Sequence, residues 1–255
     1  MQKAPSLEAI ASDLADAEYN RQRLRPRPGD EFYLVLSDLL LALKRFEISK
    51  GLTVLDYGAG GSPYRSLFGN SEYRRADVMP SIDCDYIIAP DGTVPESPAE
   101  FDLVLSSQVL EHVYDPAVYL SECFRLLKPG GTLLLTTHGT YEDHGCPYDF
   151  QRWTADGLRR DLERAGFEIV GLQKITTGLR AVAFLMERYF YTVSYSRRTL
   201  FGLALWMCRK LLSRYRYRYW LHSRLDRNSE NCRVVPADTP NSNIYLCLLA
   251  YARRP

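Results

Sequence analysis

What this chain lacks narrows its function first. Six cysteines (Cys84, Cys123, Cys146, Cys208, Cys232 and Cys247) are scattered over 255 residues with no C-x-x-C pair. That spacing disfavours both a disulfide framework and a cysteine-built zinc site; reduced thiols in a cytoplasmic protein is the simpler reading. No uncharged apolar run approaches the roughly 18 residues a spanning helix needs. The leading MQKAPSLEAIASDLADAEYN carries acids early and has no apolar centre, so it does not read as a signal peptide. Charge of one sign is missing too: 32 Lys and Arg face 31 Asp and Glu, which opposes a whole-domain nucleic-acid binder. There is no internal repeat. No Gly-Lys-Ser/Thr follows the glycine-rich turn, so a P-loop is excluded.

What is present is an alternation of short apolar runs and helical patterns. A polar helix is expected over 6–23, then a break at Arg25–Gly29. Asp30 is expected to cap a helix with Phe32, Leu36, Leu39, Leu40, Leu43 and Phe46 at helical spacing, stopped by Gly51. The runs LTVLDY (52–57), YRRADV (73–78), DYIIA (85–89), FDLVLS (101–106) and GTLLLTT (131–137) read as strands covered on both faces. Asp115-Pro116 opens a helix expected to end at Lys128-Pro129-Gly130-Gly131, and Thr154 opens another ending at Ala165-Gly166. FEIVGLQKI (167–175) and NIYLCLLAYA (243–252) supply two more strands. Strand–helix alternation of this kind implies an α/β fold, a doubly wound and mostly parallel sheet.

The chemistry begins at VLDYGAGGSPY, 54–64. An apolar strand runs into an acid and a turn whose Gly58 and Gly60 admit close backbone approach to a ligand, at the strand end where open α/β sheets bind. The dinucleotide pattern G-x-G-x-x-G fails because its third glycine position is Pro63, which weakens the reading as a nicotinamide oxidoreductase. Asp77 closes the second strand about twenty residues on, where a carboxylate can accept hydrogen bonds from ribose hydroxyls. A carboxylate there repels phosphate, so a phosphate-free nucleoside suits it. Gln108, a neutral polar group just past a strand end, is a further candidate on that side.

The stretch 54–137 resembles the class I S-adenosylmethionine-dependent methyltransferases, especially the type 11 group. VLDYGAG is similar to their first motif, Asp91-Gly92-Thr93-Val94-Pro95 to an Asp-x-x-x-Pro segment beside the adenine, and FDLVLSSQVLEHVYDP and LLKPGGTLLLTT to their fourth and fifth motifs. The resemblance implies S-adenosylmethionine as cofactor. It also implies contacts from Asp56, Gly58, Ala59, Gly60, Asp77, Val78, Asp91, Gly92, Ser107 and Gln108, and a seven-stranded sheet. One departure is Ser62, followed by Pro63-Tyr64, at the third glycine position of the first motif. On this reading the chain divides into N-terminal helices over 1–50, a cofactor domain over 51–178 and 242–255, and a helical insert over 179–241 before the last strand.

Methyl transfer from a sulfonium needs positioning and water exclusion, plus a general base where the acceptor is a hydroxyl. No metal is required, and His112, His138, His144 and His222 show no paired-ligand spacing. Glu111-His112 resembles the family's LEH signature, which often serves as a structural anchor. The segment after the fifth strand, His144 to Thr154, resembles H-x-x-P-x-D-x-x-R-[YFW]-T of some sugar- and polysaccharide-associated relatives. His144 or His138 is the expected base, with Asp149 beside it and Arg152 and Tyr148 as acceptor contacts. A lid held by Asp149–Arg152 pairing, with Thr154 as a helix cap, is an equal alternative. The expected reaction is O-methylation of a small-molecule, saccharide or lipid-linked acceptor. A cofactor-binding scaffold without turnover stays open.

Residues 179–225 interleave about ten Lys and Arg with Tyr, Phe and Trp against the single acid Glu187. Too long for a loop, this stretch reads as two or three helices. It is read as a packed, substrate-covering subdomain, as a peripheral surface for an anionic membrane, or, with least support, as a nucleic-acid groove.

Overall fold

The computed structural model describes residues 17–46, 51–79, 84–192 and 197–255. The helix expected over 6–23 therefore lies partly outside the described residues; its described part is α1, Ala17–Leu24. Helix α2 follows at Tyr33–Lys44 and buries Leu34, Leu36, Leu39, Leu40 and Leu43. Asp30 does not cap it. Its carboxylate instead accepts the Arg27 N–H at 2.9 Å and pairs with Arg21 at 3.0 Å, and α2 starts from Phe32 with no side-chain cap. The Pro-Gly turn puts its own backbone donor nearer the Asp30 side chain than the helix does.

The strands are β1 (Thr53–Tyr57), β2 (Glu72–Asp77), β3 (Tyr86–Ile87), β4 (Phe101–Ser107) and β5 (Leu127–His138). Between the last two comes α3, Pro116–Leu126, capped by Asp115, whose carboxylate accepts the Ala117 and Val118 N–H groups, with Pro at the helix start. Next come α4 (Ala155–Arg164), capped by Thr154, and β6 (Glu168–Thr177). The insert supplies α5 (Gly178–Thr192), α6 (Leu200–Leu212), α7 (Tyr215–Asn228) and the short β7 (Val234–Pro236) before β8 (Tyr245–Arg253).

These eight strands form one sheet in the order β3-β2-β1-β4-β5-β8-β6-β7. The first five are parallel; β8 runs antiparallel between β5 and β6. The eighth strand, beyond the seven expected, is β7. It pairs with the outer edge of β6 where the insert returns to the sheet. The helix ending expected at Lys128–Gly131 also moves. α3 stops at Leu126, and β5 begins at once with a register shift between Phe101↔Leu127 and Leu103↔Thr132. Pro129, Gly130 and Gly131 are taken up in that irregularity, where proline has no donor to lose.

Side-chain alternation builds two cores. Leu55, Tyr57, Val104, Leu133 and Leu135 pack under α3 and α4, whereas Val54, Leu103, Leu105 and Leu134 face α2 and α5. A period of two with both faces apolar is what a strand covered on both sides requires. The strands' starting ends are clipped together as well. Asp102 accepts the Thr53 N–H at 2.8 Å and pairs with Lys128 at 2.9 Å.

The insert is fastened to this frame by buried polar groups. Arg180 of α5 donates two 2.9 Å hydrogen bonds to Asp38 of α2 and one to Asp226 of α7, and Arg233 adds a further bond to Asp38. His222, buried and stacked on Tyr33, accepts the Gly29 N–H at 3.0 Å and meets Glu187 at 3.1 Å. The single acid of the basic stretch is therefore a structural partner, and His222 an anchor.

Candidate functional site

Parallel order places the ends of β1, β2 and β3 side by side, with Asp56 opposite Arg75 and Asp77 opposite Ile87. The turn after β1 is stitched to the end of β2. Gly58 and Ala59 donate to the Ala76 carbonyl at 2.9 and 3.0 Å, and Gly60 donates to Asp77 at 2.9 Å. Gly58 holds φ +82, and a Cβ there would lie 2.6 Å from Val109, so only glycine fits. Asp77 also accepts the Met79 N–H at 3.0 Å. Two of its roughly four acceptor positions are thus spent on the turn, and two remain. Val78, next along, is exposed.

Asp56 is buried and accepts the Tyr73 hydroxyl at 2.6 Å. Burial, with Asp77 nearby and opposed by the Tyr73 and Ser62 hydroxyls, pushes its carboxyl up to about 7. The Tyr64 hydroxyl beside this turn is buried and has no hydrogen-bond partner among the described residues.

Asp91 and Gly92 form an exposed turn beyond β3. The Asp91 carboxylate accepts the Thr93 N–H and hydroxyl at 3.0 and 2.7 Å. The Gly92 carbonyl accepts the Tyr57 hydroxyl, which ties this turn to β1. At the end of β4, the Thr136 hydroxyl lies 3.3 Å from that of Ser107. Gln108 has φ +58; its backbone and side-chain N–H groups both donate to the Thr136 hydroxyl, and the Cys247 thiol faces its carbonyl. Gln108 is therefore turned toward β5 and β8.

A second cluster sits at the ends of β4 and β5. His138, the last residue of β5, stacks on Tyr141 at 3.9 Å, and its Nε2 lies 3.2 Å from the fully buried Glu111. The Thr137 hydroxyl donates to the other Glu111 oxygen at 2.8 Å. His144 meets both His138 and His112 edge-on, with ring centres 4.8 Å apart. The loop carrying His144 is pinned by Phe150 N–H to Glu111 and Trp153 N–H to His138. Tyr148 leaves its ring half exposed while its carbonyl meets His112 Nδ1 at 2.5 Å.

Asp149 and Arg152 clamp this loop with paired bonds of 2.6 and 2.7 Å. Burial opposes the Asp149 charge, but Arg152 and the His144 N–H overcome it and hold the carboxyl down at about 2. Arg152 spends its remaining Nη donors on the Gln151 and Glu142 carbonyls. Burial pushes His138 well below the ordinary histidine value, and burial together with His112 lowers His144, so both rings are neutral at pH 7. Burial raises Glu111.

Glu111 is the residue whose neighbourhood sequence spacing concealed. It lies 27 positions from His138, but β4 and β5 are adjacent parallel strands, so residues just past their ends converge. The ligand atoms of Glu111, His138 and His144 all lie within 4.8 Å of one another. Such a donor set serves either a divalent cation or a proton relay. The Arg152 guanidinium, 3.4 Å from His144 Nδ1, puts a full positive charge where a cation would sit and favours the relay.

A family model described as a methyltransferase domain matches residues 28–172, more than half of the chain. A ubiquinone biosynthesis O-methyltransferase of Dinoroseobacter shibae is 32% identical over 153 residues, covering 48% of this chain and 62% of that one. The chain spans between a third and two thirds of the length of the curated relatives it matches. Among solved structures, the [4+2]-cyclase SpnF superposes with a TM-score of 0.56 at 19% identity, covering 99% of this chain and 97% of that one. A Haloferax volcanii complex of the Trm112 activator with a methyltransferase gives 0.55 at 20% identity, covering 96% and 97%. At such identities the structures speak for the fold alone. The matched family model, the strand order and the glycine turn between Asp56 and Asp77 agree: the chain belongs to the class I, Rossmann-like S-adenosylmethionine-dependent methyltransferases.

Proposed function

We propose that this protein methylates a hydroxyl oxygen of a small-molecule, saccharide or lipid-linked acceptor. The observation that carries the reading is His144, a neutral imidazole at the ends of β4 and β5 with an ionised Asp149 3.5 Å from its Nδ1. The relationship to O-methyltransferases of ubiquinone biosynthesis supports oxygen as the receiving atom.

The residues of the first turn fit the cofactor. Asp56 and Asp77 bring two buried carboxylates to one turn, and the Tyr64 hydroxyl, with no hydrogen-bond partner among the described residues, offers a donor or acceptor beside them. Asp56, Gly58, Ala59 and Gly60 would hold the methionine end, Asp77 and Val78 the ribose, and Asp91 and Gly92 the adenine. Ser107 and Gln108 would line the floor. S-adenosylmethionine supplies a methyl group already activated by its sulfonium.

His144 Nδ1 faces the Glu142 carbonyl at 3.3 Å as well as Asp149, which favours the proton on Nδ1 and leaves Nε2 to accept one from the acceptor hydroxyl. Asp149 then stabilises the imidazolium so formed, acting on charge and orientation. His138 is more deeply buried, with its Nε2 3.2 Å from Glu111, so it supports His144 from behind. Arg152 holds the loop closed, and Tyr148 borders the acceptor side.

One observation favours a second reading, a cofactor-binding scaffold without turnover: the Nη donors of Arg152 and the side-chain amide of Gln108 are engaged within the chain. Calorimetric titration with S-adenosylmethionine, followed by transfer of labelled methyl to sugar and phenolic hydroxyls, separates the two. Binding with transfer that His144→Gln abolishes supports the enzyme. Binding without transfer to any hydroxyl supports the scaffold.

A further inference from the structure

Helix α6 turns the usual amphipathic pattern inside out. At 3.6 residues per turn, Leu200, Leu203, Ala204, Met207, Cys208 and Leu211 share one face, and all are exposed. Leu200 is 88% and the flanking Phe201 74% accessible. The opposite face carries Gly202, which is buried, and the half-buried Trp206 and Arg209. A soluble helix gains by burying such a stripe, and a contiguous exposed apolar patch marks an interaction surface.

The charges around the stripe say what it meets. From Arg188 to Leu225 the sequence holds nine Lys and Arg and no Asp or Glu. Exposed Arg197 and Arg198 precede α6, Lys210 flanks its far end, and exposed Arg214 and Arg216 follow. Arg197 and Lys210 lie over the Trp206 ring at 5.0 and 5.7 Å. Half-exposed Tyr215, Tyr219 and Trp220 extend the surface along α7. Apolar residues bordered by cations and by amphipathic aromatics match the layers of an anionic bilayer surface: acyl boundary, then headgroups. No helix among the described residues is long and apolar enough to cross a membrane, so the surface lies on the bilayer.

We propose that α6 inserts its outer stripe into the interface of an anionic membrane, with the flanking arginines on lipid phosphates. A second copy of the chain is a poorer occupant, because a two-fold contact through this stripe would bring the flanking cations together. Single-stranded nucleic acid is poorer too, since the outward face offers leucine where a backbone groove needs arginine. The surface is also tied to the site. Arg188 of α5 donates to Glu142 at 2.5 Å, and the Glu142 carbonyl holds both His144 and Arg152. A lipid-dissolved acceptor would therefore reach the site beside the membrane; that clause alone rests on the proposed methyl transfer.

The test is co-sedimentation of the whole protein with vesicles of phosphatidylcholine and of an equal mixture with phosphatidylglycerol. Binding to the anionic vesicles is expected, with partitioning about tenfold lower or worse for Leu203→Glu/Met207→Glu and for Arg214→Glu/Arg216→Glu. These positions are exposed, so melting temperature and calorimetric cofactor binding are expected to stay unchanged, which separates loss of docking from misfolding and from failure of the methyltransferase reading. Vesicle binding that ignores both double variants overturns the proposal. So does absence of vesicle binding, whether it comes alone, with a dimer that Leu203→Glu/Met207→Glu dissociates, or with capture of single-stranded RNA.

Discussion

Asp38 and Arg180 meet through two parallel hydrogen bonds of 2.9 Å, with neither side chain exposed to solvent. This pair joins α2 to the first helix of the insert, and Asp226 and Arg233 complete its shell. Removing Arg180 leaves Asp38 buried with Arg233 as its one remaining cation among the described residues. Arg180→Met is expected to destabilise the fold by about 3–5 kcal/mol, read as a lowered urea midpoint. A double variant, Asp38→Leu/Arg180→Met, should recover part of that loss.

The glycine turn gives a sharper prediction. Gly58→Ala places a methyl 2.6 Å from the Val109 side chain at a φ of +82. The backbone strain alone costs about 1–2 kcal/mol, and the clash adds to it. Adding Val109→Ala should relieve the clash and not the strain, so stability returns in part. Thermal melts of both variants check this.

Asp56 carries a pH signature. Its carboxyl titrates near 7 in the folded chain, above the ordinary value near 4. The folded state binds the extra proton between those values, so stability without ligand is expected to fall as pH rises from about 4 to about 7. Affinity for S-adenosylmethionine, whose amino group is positive, is expected to move the other way and rise through pH 7. Calorimetry at pH 6 and 8 checks it, and Asp56→Asn should flatten the difference.

Asp77 braces Gly60 and Met79 and, on the proposed reading, would also face the ribose. Asp77→Ala is expected to weaken cofactor binding by about 1–3 kcal/mol, roughly one to two orders of magnitude in Kd. An unchanged Kd would remove it from the cofactor site.

As the proposed base, His144 is expected to set the acid limb of the rate profile. Burial and His112 place its pKa below 6.5, so kcat/KM should rise with pH below that value and then level off. His144→Gln should lower kcat by about 10²–10⁴, with cofactor Kd unchanged. Asp149→Asn removes an anion that favours the imidazolium, so the limb should shift to lower pH.

The framework was legible because the strands carry apolar residues on both faces and the helices announce themselves through Asp115-Pro116 and Thr154. The position of the glycine turn was legible for a similar reason: Asp56, Gly58 and Asp77 are local to strand ends. The Glu111–His138–His144 cluster was not, since it forms only when β4 and β5 lie side by side. Asp30 misled because a side chain serves whichever donor is nearer, and here the turn won. The edge strand β7 is only three residues long and sits behind a helical stretch, too brief to leave a periodic signal.

That short strand has one more consequence. β6 would otherwise present ten residues of open backbone to any passing chain, a template for unwanted pairing. β7 occupies part of that margin and ends in Pro236, which has no N–H to offer a ninth strand. Trimming the insert back to a plain loop would therefore remove more than the proposed docking surface: it would uncover a sticky border, and the shortened protein should aggregate even where its core still folds.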